Sequence, residues 1–346
     1  MSNNKEIGEC ADNKLYFSLI IKTAYDTFGK GRSRTYNFEY YLNMFLLVLD
    51  DVTKWKSLTK TKIYNSDKNF HYKVIQNEFN RWTKYDIFKN AYTAYLNNKY
   101  KDKPMGNNKK SIDTFTDTSC FNNKYGRENV GVHPELHKKN TTKIAALVND
   151  NCELLSMVEL KTHLKKYEGT TYKFSNPYKN TIEHDIKTVQ PLLNNILINI
   201  PKKLNIGADK AYILNENFIY NNKNIKLITP KREKSKEQIK KMIKEKNKKL
   251  TDIVHKINNN KNINSKYYNN LIKRQNIINE EINKLLNIKK PKYTQKEKYI
   301  LGKRYLVEKY FRNIKKYDRI MVRKEHNIKN FMSFIYIANL INICQN

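Results

Sequence analysis

Three carboxylates, Asp117, Asp209 and Glu308, stand far apart in a chain of 346 residues, yet each lies where a common point could be reached. Asp117 sits in the strand-like run from Ile112 to Phe121, and Asp209 directly follows the strand-like run from Leu204 to Ala208. Glu308 lies on the helical run from Thr294 to Tyr317. Gathered carboxylates hold divalent cations, and two such ions about 3.5 to 4 Å apart are most of what displacement at a phosphodiester asks of a protein. Arg304 and Lys315 fall on the Glu308 side of its helix, about 40° and 20° away at roughly 100° per residue. Two cations beside a carboxylate suit phosphate, although a plain salt-bridge pattern on a helix surface has the same spacing. Other acids compete. Asp113 precedes Asp117 on the same strand, and Asp185, beside His184, opens a helical run where an acid near the helix start is favourable in its own right.

The elements that must position these residues follow from hydrophobic spacing. Apolar residues recur at three and four from Leu15 to Phe28, Phe38 to Trp55 and His71 to Tyr100, which predicts a helical region over 1–105. A polar stretch with Pro104 and Gly106 then reads as a linker. Beyond it, Ile112 to Phe121, Thr142 to Val148 and Glu153 to Leu160 are short and strand-like, predicting three antiparallel strands. A helix from His184 to Ile200 and strands at Leu204 to Ala208 and Ile225 to Thr229 follow. Three strands, a helix and two further strands are the order of a ribonuclease-H-like sheet. In that sheet the first and fourth strands lie side by side, so Asp117 and Asp209 can converge. The fold expected is α/β, an α+β arrangement with a mixed sheet. Its catalytic parts occupy 106–230 and 294–346, and 231–293 forms an inserted Lys/Asn-rich helical hairpin carrying Ile239, Ile243, Leu250, Ile253 and Ile257 on one face. A short coiled coil for self-association is the alternative use of that hairpin.

Charge points to the partner. The chain holds 67 Lys and Arg against 33 Asp and Glu, a net +34, and such an excess attracts polyphosphate through its long-range field and counterion release. Codon bias toward A/T contributes to a lysine excess without selection for binding. Four scattered cysteines, Cys10, Cys120, Cys152 and Cys344, show no zinc-site spacing and fit a reducing compartment. A polar N-terminus without a signal peptide, and no apolar run near the roughly 20 residues a bilayer needs, predict a soluble intracellular protein without a membrane partner. It would work wherever DNA is found: cytoplasm, viral factory, or a nucleus, for which PKREK is a weak import signal.

From Asp117 onward the stretches DTSCFNNKYGRENVG, TKIAALVND, IGADKAY and RYLVEKYFRNIKKYDRI resemble, in order, the catalytic core of DDE-class insertion-sequence transposases of bacteria and large DNA viruses. The first family motif matches Asp117, Thr118 and Ser119, and the second matches Asp209, Lys210, Ala211 and Tyr212, with alanine where glycine is more usual. In the third, Arg304, Glu308 and Lys315 meet the spacing, and Leu301 stands where the family has tyrosine. HYKVIQNEFNRWTKYDIFKNAY resembles the family's helix-turn-helix, with Trp82, Phe88 and Tyr92 as core and Lys73, Asn77, Asn80 and Arg81 able to face DNA.

The resemblance implies a DNA transposase in which Asp117, Asp209 and Glu308 hold two Mg²⁺ ions, with Mn²⁺ as a substitute. On that resemblance it would cut strands at transposon ends and transfer them to target DNA as a homo-oligomer on double-stranded DNA. Arg304, Lys315, Arg127, Lys138, Lys139, Lys143, Lys210 and Arg81 are the candidate DNA contacts. The alternatives are an inactive or domesticated transposase-derived DNA-binding protein, and a nuclease of the same fold.

Overall fold

The computed structural model describes residues 11–29, 35–50, 54–60, 71–101, 111–132, 140–166, 178–182, 185–198, 203–212, 217–220, 223–230, 236–259, 266–286 and 293–344. Two compact units partition the chain, one made of Met1–Thr229 with Glu297–Asn346 and the other of Pro230–Lys296.

The first unit is mixed α/β and built on β1 (Ser111–Asn123). β3 (Asn140–Asn149) runs antiparallel along one side of β1, and β7 (Lys203–Gly207) runs parallel along the other. β4 (Leu154–Glu159) extends the sheet antiparallel beyond β3. β9 (Lys223–Ile228) extends it parallel beyond β7, and β8 (Asn217–Tyr220) pairs antiparallel with β9. The central order is therefore β4-β3-β1-β7-β9. Strands β2 (Gly131–Val132), β5 (Thr162–Lys166) and β6 (Tyr178–Ile182) continue the sheet past the start of β3, and β10 (Val322–Arg323) pairs parallel with the end of β1.

IAALV in β3 and, apart from Ser156, LLSMV in β4 are apolar because both faces of these strands are covered. Alternation divides them. Ile144, Ala146 and Val148 join one core with Phe115 and Phe121, whereas Ala145 and Leu147 join a second core with Leu155, Leu193 and Leu204.

The first core also takes in the N-terminal helices α1 (Ala11–Phe28), α2 (Phe38–Asp50), α3 (Tyr72–Lys84) and α4 (Ile87–Tyr100). These helices do not stand as a unit of their own. Phe79 of α3 stacks on Phe334 of α11 (Ile328–Cys344) with ring centroids 4.5 Å apart, and the Leu154 N–H of β4 donates to the Tyr92 hydroxyl at 3.0 Å. Trp82, Phe88 and Tyr92 are fully buried, the packing role their spacing predicts. Tyr85 and Asp86, the latter at φ 54°, break the run from His71 to Tyr100 into α3 and α4, a helix-turn-helix arrangement.

Three expected helices end sooner than their apolar spacing predicts. The run from His184 is a 3-10 turn, Asp185–Thr188, followed by a short α5 (Val189–Asn194), because the Leu197 N–H is taken by the Leu155 carbonyl at 2.9 Å and the chain is drawn to the sheet. The run from Thr294 divides into α8 (Gln295–Gly302) and α9 (Tyr305–Ile314) just after Gly302, the poorest helix former in it. α2 stops at Asp50, and Trp55 opens a separate 3-10 turn, Trp55–Lys60. α10 (Asp318–Met321) leads into β10.

In the second unit α6 (Lys236–Asn258) and α7 (Lys266–Leu286) pack against each other as a helical hairpin. An ion pair between Lys246 and Glu281 crosses it. Among the described residues no helix is long and apolar enough to cross a membrane.

Candidate active site

The parallel pairing of β1 and β7 determines where two of the carboxylates lie. Phe115 is opposite Gly207, the last residue of β7; Asp117 and Asp209 each follow two residues further on, and Asp209 acts on the charge of Asp117. The period of two also puts Asp117 on the side of β1 that Phe115 occupies. Here a side chain at 207 would collide, since a Cβ would come within 2.9 Å of Ile300 of α8 and 3.1 Å of Phe115. Glycine therefore lets α8 lie close on β7, and α9 follows immediately.

α9 brings the third carboxylate. Although Arg304 precedes the helix proper, its backbone is helical at φ −56°, so the four-residue spacing to Glu308 survives the break. Arg304 donates through Nη1 to Asp117 Oδ2 at 3.2 Å and through Nη2 to Glu308 Oε1 at 2.9 Å. One guanidinium thus joins a strand and a helix separated by 187 residues of sequence. Asp117 Oδ1 accepts the Thr118 N–H at 2.8 Å, and Asp209 Oδ1 accepts the Lys210 N–H at 2.7 Å.

Burial holds the Asp117 carboxyl above the ordinary aspartate range; Asp209 and Glu308 push the same way, while the Thr118 N–H and Arg304 oppose them. The three acids therefore share one electrostatic field. As donors they are hard oxygen ligands and match Mg²⁺ or Mn²⁺ in kind. Among the described residues, however, no three His, Cys, Asp or Glu side chains are close enough together to hold a metal ion, and Arg304 is the cation paired with both Asp117 and Glu308.

At the other end of α9, Lys315 turns inward. Its ammonium donates to Ser119 Oγ at 2.7 Å and to the Cys120 carbonyl at 2.9 Å, and it lies 4.8 Å from the Phe121 ring centroid. Burial depresses its pKa. Lys315 thus fastens α9 to β1 and directs its donors at protein atoms.

The competing acids have other partners. Asp113 accepts from Asn205 Nδ2 at 2.6 Å, a contact between the neighbouring strands β1 and β7. Asp185 opens the 3-10 turn before α5 and forms an ion pair with Lys143. Lys143, expected to meet phosphate, is instead mostly buried, because it lies on β3 opposite Cys120 with Asp185 beside it.

Arg127 and Lys210 are exposed near the ends of the strands that carry the aspartates. Arg81 is 45% exposed, pairs with Glu78 at 3.7 Å and lies over the Phe28 ring at 4.3 Å. Lys73, Asn77 and Asn80 are exposed on the same helix. Lys138, Lys139 and His184, Lys30 to Arg34 of the GKGRSR run, and the basic residues of PKREK lie outside the described residues.

Of two further buried side chains, Arg323 had no signal in the pattern, whereas Tyr212 stood in the second motif. Arg323 is fully buried and donates to the Glu128 carbonyl at 2.6 Å, to Thr142 Oγ1 at 2.8 Å and to the Glu325 and His326 carbonyls at 3.0 Å each, holding the loop that follows β1. Tyr212 is fully buried, and its ionisation is opposed first by that burial and then by Asp185 and Asp117. A hydropathy pattern does not identify a buried arginine, whose position is legible only once its carbonyl acceptors are assembled. No protein-family model matches this chain, and no curated protein or solved structure matches it.

Proposed function

We propose that the chain is a DNA transposase of the DDE class on a ribonuclease-H-like core, cutting strands at transposon ends and transferring them to target DNA. One observation carries the reading: Asp117 lies on β1, Asp209 follows the end of its parallel neighbour β7, and Arg304 ties Asp117 to Glu308. The order β4-β3-β1-β7-β9, with β3 antiparallel to its neighbours and β7 and β9 parallel to β1, supports the core assignment. The net charge of +34 supports a polyanionic partner.

In this reading Asp117, Asp209 and Glu308 would hold two Mg²⁺ ions, with Mn²⁺ as a substitute. Ions held there would supply activation of the attacking oxygen and stabilisation of the leaving one. The chain's own contributions are positional. β1 carries Asp117, the end of β7 leads into Asp209, Lys315 holds α9 against β1, and Arg304 pairs with both Asp117 and Glu308. Cleavage puts a water oxygen on phosphorus and releases a 3′-hydroxyl. Joining repeats the displacement, with that hydroxyl attacking a target phosphate and expelling the target's own 3′ oxygen. Lys210, exposed next to Asp209, and Arg127, exposed in the loop after β1, are the phosphate contacts of this reading. Acting on two ends at once requires a homo-oligomer on DNA.

A second reading is favoured by the Arg304 bridge itself. A guanidinium that satisfies Asp117 and Glu308 would suit a protein that binds DNA without cutting it. The test is Mg²⁺- or Mn²⁺-dependent cutting and joining of a labelled duplex carrying the gene's flanking sequence, with Glu308→Gln as control. Joined products that vanish in the variant support the transposase, cut but unjoined ends indicate a nuclease, and binding without chemistry selects the second reading.

A further inference from the structure

The hairpin of the second unit carries charge out of proportion to its size. Pro230–Lys296 is about a fifth of the chain, yet its sequence has twenty Lys and Arg against six Asp and Glu, roughly two-fifths of the net +34. The charge has a side. On α6 the half-buried residues Ile239, Met242, Ile243, Lys246, Leu250, Ile253, Val254 and Ile257 form the seam, and Lys246 reaches Glu281 of α7 from it. At about 100° per residue, Lys240, Lys244 and Lys248 centre on a line about 140° from that seam. All three are exposed, as is Lys241 beside them.

At a rise of about 1.5 Å per residue, cations four apart repeat every 6 Å or so along the helix. Successive phosphates of one DNA strand advance about 3.4 Å along the duplex axis, so such a row meets every second phosphate approximately. No comparable apolar stripe lies on that face. A second copy of the hairpin would bring like charges together, whereas a duplex backbone relieves them through counterion release.

We infer that the Lys240, Lys244 and Lys248 face of α6 is a sequence-independent docking surface for the phosphate backbone of double-stranded DNA. This inference rests on the proposed function only in taking DNA as the partner; it requires no catalysis.

The experiment uses full-length protein and a random-sequence duplex, with affinity measured by fluorescence anisotropy across a salt series. The wild type is compared with Lys240→Gln/Lys244→Gln/Lys248→Gln, and Lys249→Gln/Lys256→Gln, on another side of α6, is the charge control. If each of the three lysines meets a phosphate, the slope of log affinity against log salt falls by about 2.7, and affinity near 0.1 M salt falls on the order of 100-fold. The control should lose less than a third of that slope change.

An unchanged slope in the triple variant overturns the inference, as does an equal loss in the control, which would mean diffuse attraction. A triple variant that keeps its slope but changes sedimentation would make this face a contact between copies, also overturning it. Circular dichroism at equal helix content excludes misfolding as the cause. Glu308→Gln should keep the wild-type slope. If the wild type neither cuts nor joins, the catalytic reading fails while the slope comparison still decides this one.

Discussion

The Lys315 ammonium donates to the Ser119 hydroxyl at 2.7 Å, a contact between residues 196 positions apart in sequence. Through it the end of α9 is fastened to the strand that carries Asp117, so the distance from Glu308 to that aspartate depends on a side chain at neither position. A lysine that pattern alone suggests as a phosphate contact is already engaged by the protein.

Replacing that lysine should therefore disturb positioning more than binding. Lys315→Met removes both donors while relieving the cost of burying the ammonium, so stability should change by no more than about 1 kcal/mol. A displacement of about 1 Å at Glu308 should slow strand cleavage on the order of 100-fold. Duplex affinity measured in parallel should stay within about threefold. An affinity loss as large as the rate loss would mean that Lys315 meets DNA directly.

Asp117 should be a site where function costs stability. Because burial raises its folded pKa, the ionised form weakens the folded state once pH exceeds the unfolded value of about 3.9. With a chelator present, Asp117→Asn should unfold at higher denaturant than the wild type at neutral pH, and the gain should vanish below about pH 3.5. The same variant should be inactive with metal. A variant less stable than wild type at neutral pH would show that the Arg304 and Thr118 contacts outweigh burial.

Gly126 is constrained by its neighbours. A Cβ there would lie 2.3 Å from Asn123 Oδ1 and 2.6 Å from Arg323 Nε, and Arg323 is buried and committed to four acceptors. Gly126→Ala should cost about 1 to 3 kcal/mol in urea unfolding. A cost under about 0.5 kcal/mol, ordinary for a surface position, would mean that the loop and Arg323 give way freely.

Alkaline pH should unfold the protein through its tyrosines. Burial and the neighbouring Glu153 push the Tyr100 hydroxyl up to about 12, and burial raises Tyr92, Tyr310 and Tyr336 as well. Folded pKa values above the unfolded value of about 10 mean that stability is fully present below pH 10 and declines as pH rises toward the folded values. Denaturation midpoints measured from about pH 8 to 12 should fall above pH 10, and Tyr100→Phe should fall less steeply. A flat midpoint across that range would contradict the assignment.

What the sequence determined by itself was local and periodic. Nearly continuous apolar runs in IAALV and LLSMV mark strands buried on both faces, three-and-four spacing marks α6, and the excess of lysine is legible as net charge. Short-range spacing also placed Arg304 beside Glu308, because one helical turn makes them neighbours wherever the helix lies. Only the tertiary structure decided which acids share a field. Asp113 and Asp117 look alike on one strand, yet the register with β7 gives Asp113 to Asn205, whereas Asp117 lies past that pairing within the field of Asp209, Glu308 and Arg304. Lys143 and Lys210 look alike as cations, yet a place within β3 turns the first toward Asp185, and a turn beyond the end of β7 leaves the second exposed. The physical reason is that burial and pairing depend on what the far end of the chain brings into contact, and no local period encodes that.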